Sequence, residues 1–147
     1  PTYISEEEHM KIIRRCNPEM GDVLYIKDGA TTGVAAVNLY DFEFSMLSSL
    51  ALIKPNKKII NSEYLVSYLN NEKVKNIILK NMSGAAIKRL TLNKIKRIIV
   101  PCPPITLQTK FAQIVEKTEK EKKKLEKSLL ELENNFNSIM QTAFKNN

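Results

Sequence analysis

From Leu107 to Lys145 the chain carries neither glycine nor proline, over a run of 39 residues. Apolar or small side chains recur there in steps of three and four: Phe111, Val115, Thr118, Leu125, Leu129, Leu132, Phe136, Ile139 and Ala143. That is the spacing of one helix face, and at ~1.5 Å per residue such a helix is about 58 Å long. Written as heptads, Val115, Lys122, Leu129, Phe136 and Ala143 fall at a, and Phe111, Thr118, Leu125, Leu132 and Ile139 at d. A helix of this length is expected to project from any globule the remaining residues can build. Most helical stability in water comes from packing an apolar stripe, so a lone helix is marginal. Leu125, Leu129, Leu132, Phe136 and Ile139 would each contribute roughly 1.5–3 kcal/mol on burial, about 10 kcal/mol together as an upper bound. The chain offers no second long helix, so the seam is expected to meet a helix of another chain.

The first half of this segment differs. "EKTEKEKKKLEK" (116–127) holds six lysines and four glutamates, and its seam positions are Thr118 and Lys122. It is expected to be a solvated spacer supported by pairs such as Glu116–Lys120 and Glu119–Lys123. Just before the helix, "IIVPCPPITLQ" (98–108) places Pro101, Pro103 and Pro104 within four residues. Fixed φ and missing N–H groups make this a stiff elbow, and "KRIIVPCPP" is expected to be a strand that runs out into it.

Upstream the grammar is mixed. Ser5 followed by Glu8 is a capping-box pattern that opens a short helix, "EEEHMKII", closed by Asn17-Pro18. "GDVLYIK" (21–27) and "GVAAVN" (33–38) read as a hairpin around "DGATTG". "MLSSLALIKP" (46–55) is apolar enough to be expected as a central strand. Asn61 or Ser62 starts a helix containing Leu65, Tyr68 and Leu69; a second, "KVKNIILKNM", follows with Val74, Ile77 and Ile78 on one face. "SGAAIKRLT" is a loop in which Ile87 and Leu90 are expected to pack inward. The sum is α+β: a small mixed or antiparallel sheet with short helices over 1–102, then elbow and long coiled-coil helix over 103–147.

Charge is distributed unevenly. Residues 1–53 carry 4 Lys/Arg against 8 Asp/Glu, residues 54–97 carry 11 against 2, and residues 98–147 carry 8 against 6. The resulting local +9 in the middle third favours a polyanionic partner, since clustering sets the field more than the total does. No apolar run approaches the ~18–20 residues of a membrane span. "PTYISEEEHM" has no secretory pattern, and Cys16 and Cys102 suit neither a disulfide framework nor a zinc quartet. A cytoplasmic protein with two inert thiols is expected.

Catalytic chemistry is not visible. His9 is the one histidine, and it sits in an acidic helix. "DGATTG" lacks the Gly-Lys-Ser/Thr of a phosphate loop and the spacing of a dinucleotide fingerprint. "NPEM" (17–20) lacks the second proline and the aromatic of the amino-methyltransferase motif. The expectation is a binding protein without metal or cofactor.

Taken in order, "GDVLYIKDGATTGVAAV", "LALIKPN", "YLVSYLNN" and "MSGAAIKRLTLNKIKRIIVPCPPITLQTKFAQIV" resemble the specificity subunit of type I restriction–modification systems. There a target-recognition domain ends in a double-proline turn, and the helix opens with a Pro-Pro-Leu-x-x-Gln-like signature. Pro103, Pro104, Ile105 and Gln108 fill it, with Leu107 in place of the usual acid. The resemblance implies a non-catalytic subunit that reads one half-site of double-stranded DNA. It further implies a paired helix as spacer, and methyltransferase (modification) and restriction subunits as partners. Family subunits usually carry two recognition domains and two helices. With one of each, and with several dozen family residues not matched before "YISEEEHMKI", a half-subunit, fragment or truncated product is expected, homodimeric through the seam and poor in sequence preference by itself. Candidate DNA contacts are Arg14 and Arg15 after the first helix, Lys27, Thr31 and Thr32 at the hairpin tip, Lys57 and Lys58 after Pro55, and Lys88 and Arg89 after Gly84. A second reading from another class is a scaffold protein, in which the helix pairs and the basic third merely keeps the globule soluble.

Overall fold

The computed structural model describes residues 3–80 and 89–145. In chain order the elements are α1 (Glu6–Ile13), β1 (Val23–Ile26), β2 (Ala35–Val37), β3 (Leu50–Ile53), α2 (Ser62–Asn70), α3 (Glu72–Lys80), α4 (Leu92–Ile95) and α5 (Ile105–Lys145). The fold is α+β as expected, with an antiparallel sheet ordered β2-β1-β3. The chain divides into two compact units, one ending at Thr109 and one beginning at Lys110.

Local chemistry sets the helix starts. Ser5 caps α1 by accepting from the Glu8 N–H, Asn61 caps α2 by accepting from the Tyr64 N–H, and Thr91 caps α4 by accepting from the Lys94 N–H. The hairpin pairs Val23 with Val37 and Tyr25 with Ala35, and its connection turns through Gly29 and Gly33, both at positive φ.

β3 is an edge strand, against the expectation that it is central. β1 is the strand paired on both sides, with Val23 opposite Ile53 and Tyr25 opposite Ala51 on the β3 side. The apolar content of β3 is only partly buried: Ala51 enters the core, while Leu50, Leu52 and Ile53 stay half-buried. At the other edge, the Asn70 side chain both accepts from the Ala35 N–H at 2.8 Å and donates to the Ala35 carbonyl at 2.9 Å. One amide thus stands in for a further strand and blunts that edge.

The core gathers Val23, Tyr25, Ala35, Ala51, Leu65, Leu69 and Leu90. Leu90 packs inward as expected; Ile87 lies outside the described residues.

The segment before the elbow corrects a second expectation. Residues 96–97 form a turn after α4, and 98–104 have no strand partner among the described residues. Pro101, Pro103 and Pro104 cannot donate to a ladder. The carbonyls that a neighbouring strand would have taken accept instead from α2: Tyr68 Oη donates to Ile99 and Tyr64 Oη to Pro101, both at 3.0 Å.

The first turn of α5 is bolted to the first unit by one residue. Gln108 is 0% exposed. Its Nε2 donates to the carbonyls of Ile59 (2.9 Å) and Pro103 (2.7 Å), and its Oε1 accepts from the Asn61 N–H at 2.9 Å. The family-like signature glutamine therefore ties the end of the elbow to the residue that caps α2.

From Lys110 onward α5 is a single uninterrupted helix whose seam is bare. Leu125, Leu129, Leu132, Phe136 and Ile139 are all more than half exposed, and Met140 and Phe144 continue the row from Phe136 at i+4 spacing. In the spacer half, Lys120 meets Glu116 at 2.6 Å and holds its carboxyl below the usual range; Lys127 lies 3.8 Å from Glu131.

Candidate nucleic-acid interface

The end of β1 and the strand-like entry to α4 create a charged cleft. The Leu90 N–H donates to the Lys27 carbonyl at 2.8 Å, and Asp28 and Arg89 form an isolated antiparallel bridge. Leu90, 1% exposed, anchors this crossing in the core. The cleft beside it, about 460 Å³, is lined by Lys27, Arg89, Leu90, Thr91, Leu92 and Asn93. A neighbouring hollow of about 510 Å³ has Lys94 and Arg97 among a lining dominated by Tyr68, Val74, Ile77, Ile78, Ile98 and Ile99. Its walls offer little to a phosphate, so the first cleft is the better anion site.

Segment 89–97, "RLTLNKIKR", holds Arg89, Lys94, Lys96 and Arg97 and no acid. All four are exposed, and Lys96 and Arg97 make no ion pair among the described residues. Nothing in the apolar reading of "KRIIVPCPP" as a strand pointed to this run; Lys94 lies in α4, Lys96 is its C-cap and Arg97 follows in the turn. Asn93 and Thr91, which can hydrogen-bond base edges or phosphates, were likewise not singled out by the sequence.

The candidates named from sequence fare differently. Lys27 and Arg89 share the cleft and share one carboxylate: Lys27 Nζ pairs with Asp28 Oδ2, and Arg89 Nε lies 3.2 Å from Asp28 Oδ1. Thr31 is exposed at the hairpin tip, but Thr32 is buried and its hydroxyl donates to the Gly29 carbonyl at 2.6 Å. Lys57 and Lys58 sit in an exposed turn, where Lys57 Nζ donates to the Met20 carbonyl at 3.1 Å. Arg14 and Arg15 are exposed beyond α1, with Arg14 as its C-cap. Neither pair lines the cleft. Lys88, with Gly84, lies outside the described residues.

Other cations serve the fold. Lys54 bridges Glu19 (3.0 Å) and buried Asp22 (3.1 Å), and its pKa is raised chiefly by the Glu19 hydrogen bond. His9 Nδ1 is hydrogen-bonded to Ser45 Oγ at 2.8 Å. Cys16 is half-buried, with its thiol pushed up by burial, whereas Cys102 is exposed. Among the described residues no group of three or more His, Cys, Asp or Glu side chains could hold a metal ion. No helix among them is long and apolar enough to cross a membrane.

An α+β unit thus carries a basic cleft anchored by Leu90, and α5 carries an exposed heptad seam. The chain belongs to the type I restriction modification DNA specificity domain family, whose model matches residues 5–134. It is also similar to a protein of Methanocaldococcus jannaschii named as the type I restriction enzyme MjaX specificity subunit, with 29% identity over 101 residues. That match covers 65% of this chain and 24% of the relative, so the chain spans about a quarter of the relative's length.

Proposed function

We propose that this chain recognises one half-site of double-stranded DNA for a type I restriction–modification complex, through the cleft at Lys27–Arg89 and the basic segment 89–97. The observation that carries this is the acid-free, exposed run of Arg89, Lys94, Lys96 and Arg97, rooted in the core by Leu90, in a chain of the specificity-domain family. Phosphate contacts supply affinity and orientation, and side chains with paired donors supply base discrimination. The bare seam from Leu125 to Ile139 pairs with a second helix, antiparallel in a homodimer of this chain, and so sets the distance between two half-sites. A methyltransferase subunit supplies the chemistry of modification and a restriction subunit that of cleavage. The methyltransferase docks beside the long helix and elbow.

Reconstitution tests the assignment. Purified chain with S-adenosylmethionine and DNA is expected to transfer no methyl group, and addition of the modification subunit of the same system is expected to produce sequence-dependent transfer. Turnover by the chain alone, or modification that proceeds equally without it, would contradict the role.

A further inference from the structure

We propose that Arg89 reads a guanine in the major groove and that Asp28 is its positioning residue; this rests on the DNA-recognition reading above. The backbone at Arg89 is fixed twice, by the Asp28–Arg89 bridge and by the Leu90 N–H bond to the Lys27 carbonyl. The side chain is then ion-paired at its inner edge, where Nε lies 3.2 Å from Asp28 Oδ1, a buried oxygen that accepts no hydrogen bond among the described residues. Asp28 is itself held, because Lys27 Nζ takes its other oxygen. Side-chain exposure follows the same gradient: 13% for Lys27, 23% for Asp28 and 71% for Arg89.

Nε is the nitrogen nearest the carboxylate, and with 71% of the side chain exposed the guanidinium is open to a ligand. Guanine presents O6 and N7 as paired acceptors in the major groove, which a bidentate arginine fork matches. A lysine could supply the charge but not the fork. The aspartate decides between base and backbone as the target. A carboxylate beside a cation that only clamps phosphate weakens the clamp by repulsion, and the local charge of the trio is only +1. That arrangement suits a site where orientation counts for more than attraction.

Selection from duplexes with a randomised core, followed by sequencing of the bound fraction, tests this for the wild type, Arg89→Lys and Asp28→Ala. Each protein is also titrated with salt on an unselected duplex, and its fold is checked by thermal melting. The wild type is expected to enrich guanine at one position by roughly fivefold or more. Arg89→Lys should lose that enrichment and keep its salt slope. Asp28→Ala should lose it while binding unselected duplex more tightly, because a negative charge has gone. Guanine enrichment that survives Arg89→Lys would overturn the base-reading role. Asp28→Ala losing enrichment and bulk affinity together, or neither, would overturn the positioning role. A wild type that binds duplex without enrichment contradicts this inference alone, whereas one that binds no duplex removes the functional reading beneath it.

Discussion

Gln108 is where a single side chain does most for the architecture. Replacing it with alanine removes three hydrogen bonds and strands the Asn61 N–H and the Pro103 and Ile59 carbonyls. A loss of about 2–4 kcal/mol is expected in denaturant unfolding, from ~1–3 kcal/mol for each poorly resolvated group; a loss below ~1 kcal/mol would mean that water replaces the amide. The sequence exposed this glutamine as part of a helix-opening signature, yet its partners lie 47 and 49 positions away, and no local pattern names them. Tyr25 gives the opposite case. It is 0% exposed, burial raises its pKa, and its hydroxyl has no hydrogen-bond partner among the described residues. Tyr25→Phe should therefore leave stability unchanged or raise it by up to ~1 kcal/mol, as read by thermal melting. A clear drop would reveal a bonded hydroxyl. Thr31 and Thr32 look equivalent in sequence; the turn between Gly29 and Gly33 separates them, folding one hydroxyl onto a carbonyl and leaving the other outside.

The elements that sequence marked most clearly are those whose signals are local. The Ser5 cap, the Asn61 cap and the Gly/Pro-free stretch each fix a boundary by nearest-neighbour chemistry, and α1, α2 and α5 follow them. Strand position was harder to see, because an apolar run such as "LALI" reports burial without saying which edges are paired. "IIVP" misled for the same reason: its carbonyls found the Tyr64 and Tyr68 hydroxyls, a tertiary outcome that hydropathy cannot foretell. For α5 the open question is its partner. Leu129→Asp with Leu132→Asp places two charges on the seam, and light scattering is expected to show dimers of the wild type giving way to monomers. A wild type that is monomeric at tens of micromolar, yet keeps the full helix by circular dichroism, would show that the seam needs no partner.

Across the whole chain, function was legible chiefly as a charge pattern and an ordered set of weak motifs. The +9 of residues 54–97 pointed to a polyanion, but only the structure sorts those charges into Lys54, engaged with Glu19 and Asp22, and the exposed bases of 89–97. Which of these cations are paired stays out of reach of the sequence, since a contact such as Asp28 with Arg89 joins residues far apart in the chain. The central claim is that this chain binds DNA through that charge, and the salt dependence of its affinity for a duplex tests it most directly. With about four cations of 54–97 neutralising phosphates, log K is expected to fall against log salt with a slope near −3.6, from ~0.9 per contact, and Lys96→Ala should flatten it by ~0.9. A flat salt profile with no measurable binding would contradict it and leave the chain as a helix-pairing scaffold.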